Sequence, residues 1–216
     1  MYLFSRIKDY DDNDTETLDC RERDLTDVPA RISKSVTTIR LEDNKIRRLA
    51  NRQFSPYHRL EHLDLSDNHI ESIDGNAFYG LTKLERVLLY ENRIKQIDVA
   101  TFSRLSSLKI LFLSSNPISC LHRDIFRDLT SLEVLTLYDN QLTTLPKGIF
   151  EHNKELNQIH LGHNELNCDC HMRWLIEYFQ AYQHASGQKQ VLDRFRCDMF
   201  KCEHARAKEG EQNHQS

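Results

Sequence analysis

The chain has 216 residues, 39% of them hydrophobic and 29% charged, with a net charge of −4 and a pI of about 6.3. That length and apolar content suit one core or one elongated array, and the acid-leaning charge supplies no general pull toward nucleic acid or an anionic membrane. No run of about 18 apolar residues occurs, so no helical membrane insertion is expected.

Taken in chain order, the opening "MYLFSRIKDYDDNDT" lacks the basic stretch followed by an apolar segment that marks a secretory signal. Residues 1–17 are expected to be a disordered or truncated N-terminal segment. Within them, Asn13 heads the sequon Asn13-Asp14-Thr15, a glycosylation candidate that matters only in a secreted chain. Residues 18–35 have the aliphatic spacing of a lead-in hairpin and coil at Leu18, Leu25, Val28 and Ile32. They read as the remnant of an N-terminal cap, with Cys20 as its single cysteine.

From residue 36 to 166 the chain repeats. Asn44, Asn68, Asn92, Asn116, Asn140 and Asn164 are spaced 24 residues apart. A leucine precedes each by three residues (Leu41, Leu65, Leu89, Leu113, Leu137, Leu161), and two residues earlier stands Ile39, Leu63, Val87, Leu111, Leu135 or Ile159. Phe54, Phe78, Phe102, Phe126 and Phe150 follow the first five asparagines by ten residues. This is LxxLxLxxN, the leucine-rich repeat, in six copies without an insertion.

In "LEHLDLSDN" the leucines alternate with His62, Asp64 and Ser66, the period-2 signature of a short strand buried on one face. The asparagines are expected to bond the backbone of their own and neighbouring coils, and the phenylalanines to stack down the convex side. The predicted fold is α/β: a right-handed leucine-rich-repeat solenoid, or horseshoe. Short parallel strands line its concave face, its convex side is irregular, and a helical disulfide cap closes the C-terminus.

That cap is expected over residues 167–202, where "CDCHMRWLIEYF" reads as an amphipathic helix laying Trp174, Leu175, Tyr178 and Phe179 over the last coil. Cys168 and Cys170 are disulfide candidates with Cys197 and Cys202, and their clustering implies an oxidising compartment. Residues 203–216 are polar and read as a disordered tail.

A zinc site of His160, His163, Cys168 and Cys170 is disfavoured: structural zinc ligands pair at short spacing, whereas these fall on a strand, a turn and a later loop. Redox catalysis uses C-x-x-C, and this is C-x-C. No nucleophile–base pair, carboxylate pair or phosphate loop stands out, so no enzyme, catalytic residue, metal or cofactor is expected. Cys120, in "NPISCLHRDIF", reads as a free thiol packed like a small hydrophobe. His58, His69, His122 and His152 read as solvent-facing.

The register assigns the exposed side of the strands. One column holds Thr38, His62, Arg86, Ile110, Val134 and Gln158. The next holds Arg40, Asp64, Leu88, Phe112, Thr136 and His160, and a third Glu42, Ser66, Tyr90, Ser114, Tyr138 and Gly162. The centre is apolar and aromatic (Leu88, Tyr90, Ile110, Phe112, Val134, Tyr138), rimmed by Arg40, His62, Arg86 and His160. Such clusters mark protein-binding sites.

These residues also resemble a family. "NCDCHMRWL" looks like the extracellular leucine-rich-repeat C-terminal cap. The series "IRLEDNKI", "FSPYHRLEHLDLSDNHI", "LLYENRI", "SCLHRDIFRDLTSLEVLTLYDNQL" and "IHLGHNELNCDCHMRWL" resembles, coil for coil, the second leucine-rich-repeat domain of the Slit family of secreted axon-guidance ligands. The similarity runs from Asp19 to Trp174.

The resemblance implies that the concave face binds an immunoglobulin domain of a Roundabout-type receptor, with Arg40, Tyr90, Phe112, Tyr138 and His160 at the family's contact positions. It also implies heparan sulfate binding, to which Arg47, Arg48, Arg52, Arg93 and Lys95 would contribute without forming a dense stripe. Three features depart from the family: Cys20 stands alone where the N-terminal cap has four cysteines, the C-terminal cap is shortened, and no signal peptide is present. Cap pairing is then Cys168 with Cys197 and Cys170 with Cys202, or the reverse. The expectation is a secreted, extracellular ligand module, present here as a fragment or truncated product. The alternatives are a matrix or adhesion module, a receptor ectodomain fragment with another partner, or a cytosolic scaffold with free thiols.

Overall fold

The protein is described by a computed structural model covering residues 9–10, 16–167, 173–175 and 177–178. Each 24-residue coil contributes one three-residue strand: β3 (Thr38–Arg40), β5 (His62–Asp64), β7 (Arg86–Leu88), β8 (Ile110–Phe112), β9 (Val134–Thr136) and β10 (Gln158–His160). They pair in parallel without register shift, aligning Ile39, Leu63, Val87, Leu111, Leu135 and Ile159. A constant repeat length makes this possible, because an insertion inside a strand would turn its apolar side to water. The result is the expected parallel-strand solenoid.

The interior is the sum of the repeated columns. The strand leucines and the phenylalanines are at most 2% exposed. Neighbouring rings stack at 5.9 Å for Phe54–Phe78, and at 6.2 Å for both Phe78–Phe102 and Phe126–Phe150. The asparagine ladder forms as the sequence predicts. Asn116 donates through Nδ2 to Leu89 O (2.9 Å), Leu113 O (3.2 Å) and Ser114 O (3.1 Å), while its Oδ1 accepts from Ile94 N (3.0 Å). Two of those partners lie in the preceding coil, so each amide ties its turn to the one beneath it. The five asparagines from Asn68 to Asn164 share this scheme, and Asn44 ties the N-terminal lead-in instead, donating to Cys20 O and accepting from the Arg23 and Leu25 amides.

Two further strands lie at the N-terminal edge of the sheet. β2 (Glu16–Asp19) extends the sheet in parallel beside β3, and β1 (Asp9–Tyr10) returns antiparallel, aligning Asp9 with Thr17 and Tyr10 with Glu16. The edge of a parallel sheet presents unpaired backbone groups, and this hairpin satisfies part of them. Cys20 is buried and unbridged, and burial pushes its thiol above the ordinary cysteine range.

Cys120 also corrects its reading as a packed thiol: it is exposed. Ile118 and Leu121 face inward, and the chain between them turns outward. The equivalents Arg48, Ser72, Gln96 and Thr144 are exposed as well. On this flank β4 (Arg48–Leu49) and β6 (Ser72–Ile73) form a second, two-stranded parallel sheet. Of the histidines read as solvent-facing, His58, His122 and His152 are exposed and His69 is half-buried.

At the C-terminal end, residues 173–175 and 177–178 are helical. Leu175 is fully buried, Trp174 and Tyr178 pack against the core, and Tyr178 lies 5.9 Å from the Phe150 ring. Asn153 occupies the column held by Tyr57, Leu81, Leu105 and Leu129 in earlier coils; its Nδ2 donates to Phe126 O and Leu129 O, both at 2.8 Å. Asn13, Cys168, Cys170, Phe179, Cys197, Cys202 and the tail 203–216 lie outside the described residues.

Candidate functional site: the concave face

The short strands place every second side chain on the concave surface, and the parallel register turns those positions into continuous rows. One row runs Arg40, Asp64, Leu88, Phe112, Thr136, His160, and the next His62, Arg86, Ile110, Val134, Gln158. Arg40 and Arg86 are exposed; His62, Leu88, Tyr90, Phe112, Tyr138 and His160 are half-buried. Leu88, Tyr90, Ile110, Phe112, Val134 and Tyr138 thus lie on three consecutive strands and the turns that leave them. A half-buried aromatic already surrounded by neighbours loses little conformational freedom when a partner covers it.

Two residues assigned to the exposed third column are buried, Ser66 and Gly162. The Ser66 hydroxyl donates to Asp64 Oδ1 at 2.6 Å, and its amide donates to the same oxygen at 3.0 Å. Asp64 is thereby turned onto its own strand exit. At the other end of the column the Tyr138 ring lies 4.7 Å from that of His163, tilted by 33°.

The N-terminal end of the face holds a hollow of about 320 Å³ lined by Arg40, Glu61, His62, Asp64, Arg86 and Leu88, among others. Burial and the neighbouring Arg86 guanidinium hold the His62 imidazole below the usual histidine range. Its Nδ1 is buried without a hydrogen-bond partner. Glu42, in the third column, has its carboxyl raised chiefly by burial, although Arg21 Nε lies 3.5 Å from it.

A feature the sequence reading missed sits just beyond this face. The residue before every ladder asparagine adopts a left-handed backbone: Asp43, Asp67, Glu91, Ser115, Asp139 and His163, with φ of 50–56°. Asp and Asn tolerate that region better than most residues, so the acidic side chains ahead of four of the six asparagines were the available signal. In this row Asp67 is pushed up to about 6 by partial burial and by hydrogen bonding to, and charge from, Glu91.

The arginines and lysine considered for polyanion binding, Arg47, Arg48, Arg52, Arg93 and Lys95, are all exposed, away from the strand rows.

The fold and this open, parallel-stranded face define a repeat scaffold of the kind that typically binds other molecules without catalysis. The leucine-rich-repeat profile matches residues 34–90 and 82–142, about half of the chain, and the protein belongs to the leucine-rich-repeat family. Among solved structures, the TLR13–ssRNA13 complex is similar, with a TM-score of 0.63 and 32% identity over 70% of this chain. The chain spans 22% of that protein's length.

Proposed function

We propose that the protein is a secreted, Slit-like ligand module that binds an immunoglobulin domain of a Roundabout-type receptor through its concave face. The observation that carries this reading is the contiguous patch of Leu88, Tyr90, Ile110, Phe112, Val134 and Tyr138 across β7, β8 and β9, rimmed by Arg40, Arg86 and His160. Tyr and Arg around an apolar centre are the side chains that dominate protein interfaces. The coil-by-coil resemblance to the second Slit repeat domain adds the receptor class and an extracellular setting. Heparan sulfate is a secondary ligand under the same resemblance.

A nucleic-acid ligand such as the ssRNA of the TLR13 complex finds less to hold on this face. Arg40 and Arg86 share it with Glu42 and Asp64, so the face carries no run of cations to follow a phosphate backbone.

The test is binding of the purified chain to a Roundabout ectodomain. Tyr90→Ala and His160→Ala should each weaken it by about tenfold or more, the usual cost of an interface anchor. Undiminished binding by both variants removes the proposed site. No binding by the wild-type chain, with binding to another ectodomain, moves the reading to a different adhesive partner.

A further inference from the structure

Asp74-Gly75 is the one place in the chain where glycine follows an aspartate or an asparagine. The pair opens the turn that leaves β6, with Asp74 exposed and Gly75 half-buried. The Asn76 amide donates to Asp74 Oδ1 at 3.0 Å, closing a small ring that contains both Asp74 Cγ and the Gly75 nitrogen. The Asp74 amide donates to Leu49 O at 3.0 Å, and its carbonyl accepts from Ala77 N at 2.9 Å. The Gly75 amide, by contrast, donates to no described residue. A carboxyl carbon and an unengaged amide nitrogen are thereby kept side by side.

The next coil repeats this turn with a different second residue. Ala100 N donates to Asp98 Oδ1 at 2.8 Å and Thr101 N to Asp98 O at 3.0 Å, and the Val99 amide is as unengaged as that of Gly75. Val99, however, carries a branched stem that crowds its own nitrogen. Glycine has none. The stack itself favours glycine at position 75, because a Cβ there would lie 3.1 Å from Asp98 Oδ1. One coil further on, His122 makes the same bond through its ring, accepting at Nδ1 from Asp124 N at 3.1 Å, and offers no carboxyl to react.

We propose that Asp74 is a site of spontaneous covalent modification, closing to a succinimide with Gly75 and reopening as isoaspartate. The Gly75 nitrogen gives its proton to solvent and bonds to Asp74 Cγ, and the carboxyl oxygen displaced from that carbon leaves as water. A water molecule then adds to one of the two ring carbonyls. Addition at Cγ breaks the new N–C bond and restores aspartate. Addition at the main-chain carbonyl breaks the original peptide bond, so the chain runs on through Cβ and Cγ and the former carbonyl becomes a free carboxylate. Nothing is oxidised or reduced, and one water leaves for each that enters. Ring closure re-aims the Asp74 carbonyl and gives up the bond from Ala77 N. The product is one methylene longer at a turn whose Asn76 carbonyl accepts the Arg52 and Tyr79 amides at 3.1 and 3.0 Å.

The experiment ages the full folded chain at neutral pH in heavy-oxygen water and then separates its proteolytic peptides by retention and mass. The peptide holding Asp74 should yield a second form of the same sequence that carries heavy oxygen and is methylated by an isoaspartate-specific carboxyl methyltransferase. Conversion at Asp98, in the matched turn, should be slower by about tenfold or more. Gly75 has no left-handed backbone, so Gly75→Ala requires only a small shift of the Asp98 carboxylate; circular dichroism should show it folded, and its Asp74 should convert about tenfold more slowly than wild type. Absence of the new form at Asp74, equal conversion at Asp98, or a Gly75→Ala chain that converts as fast as wild type overturns the site.

Discussion

The interior of the stack and its concave face are built from the same strands, and they vary in opposite ways. Inward positions hold leucine, isoleucine or valine in every coil, with the same asparagine beneath them and, in five of the six, phenylalanine behind. Outward positions on those strands run from Arg40 through Leu88 and Phe112 to His160, with no two successive coils alike. Stacking requires each coil to fit its neighbour, so the interior must repeat. Nothing in the stacking requires the exposed row to be apolar at its centre. The irregularity of that row is where specificity for a partner can reside.

The sharpest way to break the distinction is to damage the interior and find the fold indifferent. Phe102→Ala removes a fully buried ring that stacks 6.2 Å from Phe78. It should cost about 3–5 kcal/mol in a denaturant titration, with unfolding beginning in the coils around it. Asn116→Ala deletes four ladder hydrogen bonds and strands the buried Ile94 amide, while the Leu89 carbonyl keeps only its bond from Asn92 Nδ2 at 3.2 Å. A loss of about 2–4 kcal/mol is expected, since unsatisfied buried backbone groups cost more than the bonds themselves contribute. Tyr90→Ala, on the concave row, should shift stability by about 1 kcal/mol or less, because the residue is only half-buried.

Much of the interior is legible in the sequence because it is periodic: the asparagine spacing alone aligns every strand, and the alternation around Leu63 and Leu65 tells inside from outside. The concave rows follow from the same count, which is why the residues named from sequence fall on one surface. What escaped is what periodicity does not encode. Asn153 replaces an apolar residue in its column and finds two carbonyls there, which its residue type alone does not reveal. Cys120 looked packable by composition, yet its place between Ile118 and Leu121 turns it outward. The β1 hairpin depends on a free sheet edge rather than on a pattern. Arg52 and Arg104, with Cζ 4.5 and 6.0 Å from the centroid of the Tyr79 ring, link three coils through side chains of unrelated columns.

A smaller effect tests the turn row that borders the face. Asp67 has its carboxyl raised to about 6, above the value near 4 of an unfolded chain. The folded protein therefore holds this proton more tightly, and the group's contribution to stability falls as pH rises from about 4 through 6. Asp67→Asn keeps a side chain that tolerates the left-handed backbone and removes the repulsion from Glu91. Its melting temperature should exceed wild type by about 1–2 °C at pH 7.5, with the difference vanishing below about pH 4.

The claim that one face recognises the partner while the rest supports it is tested most directly by hydroxyl-radical footprinting of the chain, free and bound to a Roundabout ectodomain. Tyr90, Phe112 and Tyr138 on the concave rows should lose reactivity several-fold on binding, while Tyr79 on the convex side keeps its own. Protection of Tyr79 with the three concave rings unchanged would contradict the account.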